Sequence, residues 1–158
     1  MAIVADARAV LKKRKVDQWQ GDYPEAKNFV SDIEKGECYL IFHGEEPAGF
    51  FTLSCAHEES YDAITDGKWT PDMECCVLHR AAVSAKYRGT GISSYLFRCV
   101  DEVSRSYGLR CIRTDTHRKN KSMQRLMRDR GYRYRGNIQI SCEPGHDTAR
   151  QAFEKILK

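Results

Sequence analysis

The chain has 158 residues, 41% of them hydrophobic and 30% charged, with 4 prolines and a formal net charge of +4. That is the size of one domain, residues 1–158, and the composition of a packed globule, which excludes disordered, collagenous and fibrous proteins. No apolar run approaches the ~20 residues that span a bilayer, and Met1-Ala2-Ile3-Val4-Ala5-Asp6 lacks the basic-then-apolar layout of a signal peptide, so a soluble, cytoplasmic protein with no membrane partner is expected.

Seven cysteines, an odd number without a CxxC pair, point to buried reduced thiols and against structural disulfides. Cys75-Cys76 with His79 has no matching second pair of ligands, so no metal site is expected. Eleven Lys or Arg and two Asp between Arg105 and Arg135 give that segment +9 and leave −5 for the rest. Such a run suits a phosphate-bearing ligand, a nucleic acid or a solvated helix face, and charge alone does not choose among them.

In chain order, residues 3–17 read as a first helix ending in the basic run Lys12-Lys13-Arg14-Lys15. Asp22-Tyr23-Pro24 opens a second helix to about Glu34, with Phe29, Val30 and Ile33 as its apolar stripe. Residues 38–42 and 48–53 flank the turn Gly44-Glu45-Glu46-Pro47 and form an antiparallel hairpin, while 56–73 is polar and irregular. A strand over Cys76–Val83, a glycine loop to Gly91, a helix from Ile92 to Tyr107 and a strand over Cys111–Asp115 make a parallel βαβ unit. A short helix over Asn120–Arg130 and a strand over Tyr132–Ser141 follow. Ala149 to Leu157 has helical spacing.

A glycine-rich turn between a strand and a helix gathers backbone N–H groups at the positive end of the helix dipole, which is an anion site. Here the turn lacks both the Walker ending and a third glycine. Its flanks are more specific. Ala82-Val83-Ser84-Ala85-Lys86-Tyr87-Arg88-Gly89-Thr90-Gly91-Ile92 resembles the acyl-CoA signature of the GNAT acetyltransferase superfamily, a strand ending Ala-Val and then (Gln/Arg)-x-x-Gly-x-(Gly/Ala), with Lys86 at the Gln/Arg position. Asn120 through Gly131-Tyr132 is similar to that family's later helix, and the order of elements over residues 1–158 also follows the family.

The resemblance implies a mixed α/β fold, with a mostly antiparallel central sheet splayed at a β-bulge and flanked by helices. It implies acetyl-CoA as acyl donor, with Ala82 and Val83 offering backbone to the pantetheine arm. The pyrophosphate would lie on the N–H groups from Arg88 through Gly89, Thr90, Gly91 and Ile92 to Ser93, with Lys86 and Arg88 near the remaining phosphates. Coenzyme A then accounts for the basic segment, and nucleic acid is not expected as a partner. Asn120 either caps its helix or bonds to the coenzyme.

For chemistry, the resemblance implies acetyl transfer to a primary amine by direct attack, on a small molecule or on a protein N-terminus or lysine. A base must remove the ammonium proton, since a free alkyl amine has a pKa of ~10.4. His79 stands where relatives often carry Glu; the alternative is a half-buried structural histidine. Glu74 is the second candidate. Strand alternation would put His79 and Ala81 on one face and Arg80 on the other. The tyrosine that usually meets the departing thiolate is replaced by Met127, which leaves open a catalytically weak module that binds acyl-CoA or a partner. Trp19, Tyr23 and Trp69 are the candidate acceptor contacts, a homodimer is compatible, and the tail 149–157 is expected to be the family's closing strand despite its helical spacing.

Overall fold

The structure, a computed structural model, describes residues 1–158. Its elements are α1 (Ala2–Lys13), α2 (Ala26–Glu34), β1 (Cys38–His43), β2 (Glu46–Ser54), β3 (Cys75–Val83), α3 (Ile92–Ser106), β4 (Cys111–His117), α4 (Lys121–Asp129), β5 (Arg133–Gln139) and β6 (Ala149–Ile156). One sheet runs in the order β1-β2-β3-β4-β6-β5, parallel only between β3 and β4. The fold is therefore the expected mixed α/β arrangement, and no helix is long and apolar enough to cross a membrane.

The largest core cluster includes Phe51, Leu78, Leu96, Phe97, Ile112 and Met127, from the sheet, α3 and α4. A smaller cluster joins Val4 of α1 to Phe50 and Ala82 of the sheet. Strand β2 lies between the two clusters, which is why every residue from Ala48 to Ser54 is buried.

The first helix is shorter than expected. Lys15 takes φ +54°, and the N–H groups of Lys15 and Val16 turn back to the carbonyls of Lys12 and Leu11, a left-handed cap that tucks Val16 into the interior. The second helix begins at Ala26, where Glu25 and Asn28 close a reciprocal capping box, so Pro24 lies before it and not in its first turn. Its expected apolar stripe is largely solvent-facing: Val30 is 53% and Ile33 63% exposed, and Asp32 is the residue that is buried. Asp32 receives Arg80 through Nε at 2.9 Å and Nη2 at 2.5 Å, with Thr52 Oγ1 at 2.9 Å. A bidentate ion pair thus docks α2, helped by Phe29 edge-on to Phe50.

The tail is a strand, as the resemblance implied. β6 inserts between β4 and β5 and pairs on both sides, so ladder hydrogen bonds outweigh the helical spacing of its alanines.

The cysteine expectation fails at one place. Cys75 and Cys111 form a disulfide, because the parallel register sets them opposite each other with Cα atoms 4.4 Å apart. A spacing of 36 residues gives no hint of that register. Their sulfurs and Glu154 cluster closely, but the carboxylate is already held by Arg113 and Arg135, an environment hostile to a cation.

Candidate active site

Strands β3 and β4 pair only from Cys75–Leu78 against Cys111–Thr114. Beyond Leu78 they part. On the β2 side, Phe51 pairs with Ala81 and Leu53 with Leu78, so β3 carries an extra residue, a bulge at His79–Arg80 opposite Thr52. The bulge overturns the simple alternation: Leu78 and Ala81 pack toward α3, while His79 and Arg80 share the other face, with Tyr23 near both. Arg80 is consequently no neutral neighbour of His79, since it holds the buried Asp32 and donates to the Tyr23 hydroxyl.

Past the bulge, Ala81, Ala82 and Val83 pair only with β2, and their other edge borders a groove of about 280 Å³. Its remaining walls are α1 and the connection after it, the first two turns of α3, and α4, with Asn120, Arg88 and Ser93 among the lining residues. The loop that closes one end is built for close approach. Gly89 and Gly91 have φ of +77° and +89°, and a Cβ at either would meet nothing within 4 Å. Gly91 starts α3 without a side-chain cap, and the N–H groups of Ile92, Ser93 and Ser94 have no acceptor in the chain. Asp6 of α1 pins the loop by accepting the Ala85 N–H at 2.8 Å. These features fit an anionic ligand at a helix start.

Other expected coenzyme contacts divide. Ile92 is buried, so only its backbone is offered, and the Thr90 hydroxyl is spent on the Tyr87 carbonyl at 2.7 Å. Lys86 is exposed, paired with Glu46 of the hairpin, and does not line the groove. Arg14, by contrast, does line the groove and donates to Ser122 Oγ at 2.6 Å. Asn120 caps α4 through its Oδ1 and donates its amide to Gln18 Oε1 at 3.0 Å. Part of the basic segment is neutralised within the protein, since Arg113 and Arg135 hold the buried Glu154 and the exposed Arg118 pairs with Asp147.

On the opposite side of the splay lies a cavity of about 690 Å³ lined by Trp19, Tyr23, Glu58, His79 and Asp115 among others. A small void of about 30 Å³ at Ala81, His79, Asp115, Met123 and Met127 sits between it and the groove. Gln18 and Trp19 line all three. Trp69 lines none; it stacks on Tyr61 and donates to the Tyr61 carbonyl. Glu74 is exposed just before β3, at the paired end of the strand, and is not brought to the site.

His79 is half-buried, its Nε2 4.0 Å from Glu58 Oε2. Burial, and then the Arg80 charge, lower its pKa, so the imidazole is neutral at pH 7 and can accept a proton. Asp115 accepts from the Tyr61 hydroxyl at 2.9 Å; burial raises its pKa, opposed by that hydrogen bond and by Arg150. Sequence reasoning missed Asp115, Gln18 and Arg14. Asp115 had a signal, a carboxylate ending the apolar run beside the signature strand, whereas Gln18 lies in an aperiodic connection and Arg14 reads as an ordinary helix end. Met127, at the position of the usual tyrosine, is buried and offers no proton.

The chain matches the Acetyltransferase (GNAT) family over residues 6–132. An acetyltransferase of the GNAT family from Streptococcus agalactiae is 31% identical, with 99% of this chain and 87% of that one covered and a TM-score of 0.88. One from Listeria monocytogenes is 18% identical, with 98% and 86% covered and a TM-score of 0.69. A Bacillus subtilis acetyltransferase in complex with CoA is 16% identical, with 86% of each chain covered and a TM-score of 0.63. No curated protein matches the chain at a significant level. With the signature loop, the splayed strands and these likenesses in agreement, the chain belongs to the GNAT acetyltransferase family.

Proposed function

We propose that the protein transfers an acetyl group from acetyl-CoA to the nitrogen of a primary amine while both substrates are bound. The observation that carries this reading is the meeting of the groove and the larger cavity at Gln18 and Trp19, in the gap between β3 and β4. Acetyl-CoA supplies an activated thioester carbonyl. The free edge of Ala82 and Val83 receives the pantetheine arm as an added strand, and the N–H groups from Gly89 to Ser93, with Arg88 and Arg14, hold the phosphates.

His79 takes the proton of the acceptor ammonium, directly or through water. The freed nitrogen lone pair then attacks the thioester carbonyl carbon, the C–S bond breaks with its electron pair leaving on sulfur, and the second nitrogen proton passes to the thiolate through solvent, giving the amide and free coenzyme A. Met127 cannot protonate that sulfur, and a thiol of pKa ~8.5 leaves as thiolate without help. Trp19 and Tyr23 line the acceptor side. A second reading, a weak or inactive acyl-CoA-binding module, is favoured only by Met127. Acetyl-CoA with a panel of primary amines, followed by free-thiol release, separates the two: amine-dependent release supports transfer, and tight binding without release supports the module.

A further inference from the structure

We infer that Gln18 donates its Nε2–H to the carbonyl oxygen of the bound thioester, where negative charge gathers as the amine attacks. This rests on the transferase reading above and adds a catalytic residue to it. Gln18 lies in the connection after α1 and lines the groove, the larger cavity and the small void between them. Its side chain therefore stands where the acyl group passes from coenzyme to acceptor. The neighbours settle which way its amide is turned. Gln18 Oε1 accepts from Asn120 Nδ2 at 3.0 Å, from Thr116 Oγ1 at 3.2 Å and from the His117 N–H at 3.4 Å. A backbone N–H can only donate, and Asn120 turns its own Oδ1 to the Met123 N–H, which leaves Nδ2 for Gln18.

The oxygen of Gln18 thus faces the end of β4 and the start of α4, and Nε2 is the free end. It donates to no atom of the chain and is not sealed in the interior, so it opens onto the voids that Gln18 borders. Three donors from two elements hold the amide in place before substrate arrives, which is what an oxyanion donor requires. The other side chains around the void of about 30 Å³ have little to give. Thr114 Oγ1 is spent on the Leu78 carbonyl and Thr116 Oγ1 on Gln18 itself. Met123 and Met127 carry no polar proton, Asp115 accepts from Tyr61, and His79 is the base. Only the Trp19 indole N–H is also unspent, and no hydrogen bond fixes its direction. An incoming ammonium is itself a donor and cannot accept from Nε2, whereas the thioester carbonyl can.

The test is isotope-edited infrared spectroscopy of acetyl-CoA labelled with carbon-13 at the thioester carbonyl, bound to the wild type, Gln18→Glu, Gln18→Met and Trp19→Phe. Gln18→Glu keeps an oxygen for the three donors, and with it the local fold, but loses the N–H; Gln18→Met loses both. A hydrogen bond weakens the C=O bond, so the carbonyl band is expected at lower frequency in the wild type and Trp19→Phe than in either Gln18 variant. With an accepted amine, kcat should fall by about 10²-fold in both Gln18 variants while KM for acetyl-CoA changes by less than about threefold, the split left by a lost transition-state contact. Coinciding bands in the wild type and the Gln18 variants overturn the inference, as does a band that moves in Trp19→Phe alone. A loss confined to KM also overturns it, since Gln18 would then only bind coenzyme. Coinciding bands alongside amine-dependent thiol release sink only the Gln18 contact. A band set by Gln18 in a protein that releases no thiol with any amine sinks only the transferase reading, and absence of acetyl-CoA binding sinks both.

Discussion

Strands β3 and β4 share one seam whose two ends are treated in opposite ways. At the closed end Cys75–Leu78 pair in register with Cys111–Thr114, a disulfide joins Cys75 to Cys111, and Thr114 Oγ1 donates to the Leu78 carbonyl at 2.8 Å. Behind that end Glu154, fully buried, gathers Arg113, Arg135 and Thr70. At the open end a bulge turns His79 and Arg80 together, and Ala81–Val83 keep an unpaired edge. Unpaired backbone is costly when buried, so an opening of this kind persists where a ligand or water answers it and where the base of the wedge is rigid. The closed end supplies rigidity and the open end supplies the site.

If that division holds, the largest effects on stability belong to the closed end. Glu154→Ala leaves two guanidinium groups without their shared carboxylate and should cost about 3–5 kcal/mol in urea unfolding, with coenzyme affinity of the folded protein unchanged. A parallel loss of coenzyme affinity would show that the two ends are not separable. Replacing Cys75 and Cys111 by alanine removes a cross-link spanning 36 residues and should cost about 2–4 kcal/mol, again without touching acetyl transfer.

At the open end the readout moves to chemistry. His79→Ala should lower kcat/KM for a true acceptor by about 10²-fold while leaving coenzyme affinity intact. Because burial lowers the His79 pKa, the wild-type rate should hold down to a pH below the ordinary imidazole value of ~6.5 and fall only as His79 protonates. That acidic limb should be absent from the variant; its survival would return His79 to a structural role. Gly91→Val meets open space but must adopt φ +89°, a strain of about 1–2 kcal/mol, and its side chain should weaken coenzyme binding by more than that strain weakens the fold.

The smallest effect lies where the α1–α2 connection meets the β5–β6 connection, at the lining of the larger cavity. His146 Nδ1 lies 2.8 Å from Asp17 Oδ1, and this hydrogen bond raises the His146 pKa. The Asp17 pKa is lowered, first by the Asp147 N–H and then by His146. The histidine's contribution is fully present below its unfolded pKa and is lost as pH rises through its raised one. The aspartate's is present above its unfolded pKa and is lost as pH falls through its lowered one. Histidine proton shifts in NMR should therefore titrate His146 above ~6.5, and Asp17→Asn should return it to that value.

How much of this was legible beforehand follows the range of the interactions. The loop Lys86–Gly91, the helix after it and the hairpin are written in local chemistry, glycines, periodicity and turn residues, and they appear where expected, save that the hairpin turn is tighter, with Glu46 and Pro47 already paired to His43 and Phe42. The tail strand was legible only through resemblance, since its partners lie on two strands distant in sequence. The failures are contacts that no local pattern encodes. Asp32 is drawn inside by Arg80, 48 residues away, reversing the polarity read for α2. The bulge at His79–Arg80 shifts every later side chain of β3 to the opposite face. Lys86 sits at a signature position yet bonds to Glu46, while Arg14 reaches the groove from a run that reads as a helix end.

The most direct measurement is hydrogen exchange of the β3 backbone amides with and without acetyl-CoA. The account predicts that coenzyme slows exchange within Ala81–Val83 and at Gly89–Ser94, while amides of Val77 and Leu78, already held in the closed seam, change little. Stoichiometric binding that leaves Ala81–Val83 as exposed as before, or no binding at millimolar acetyl-CoA, would contradict it.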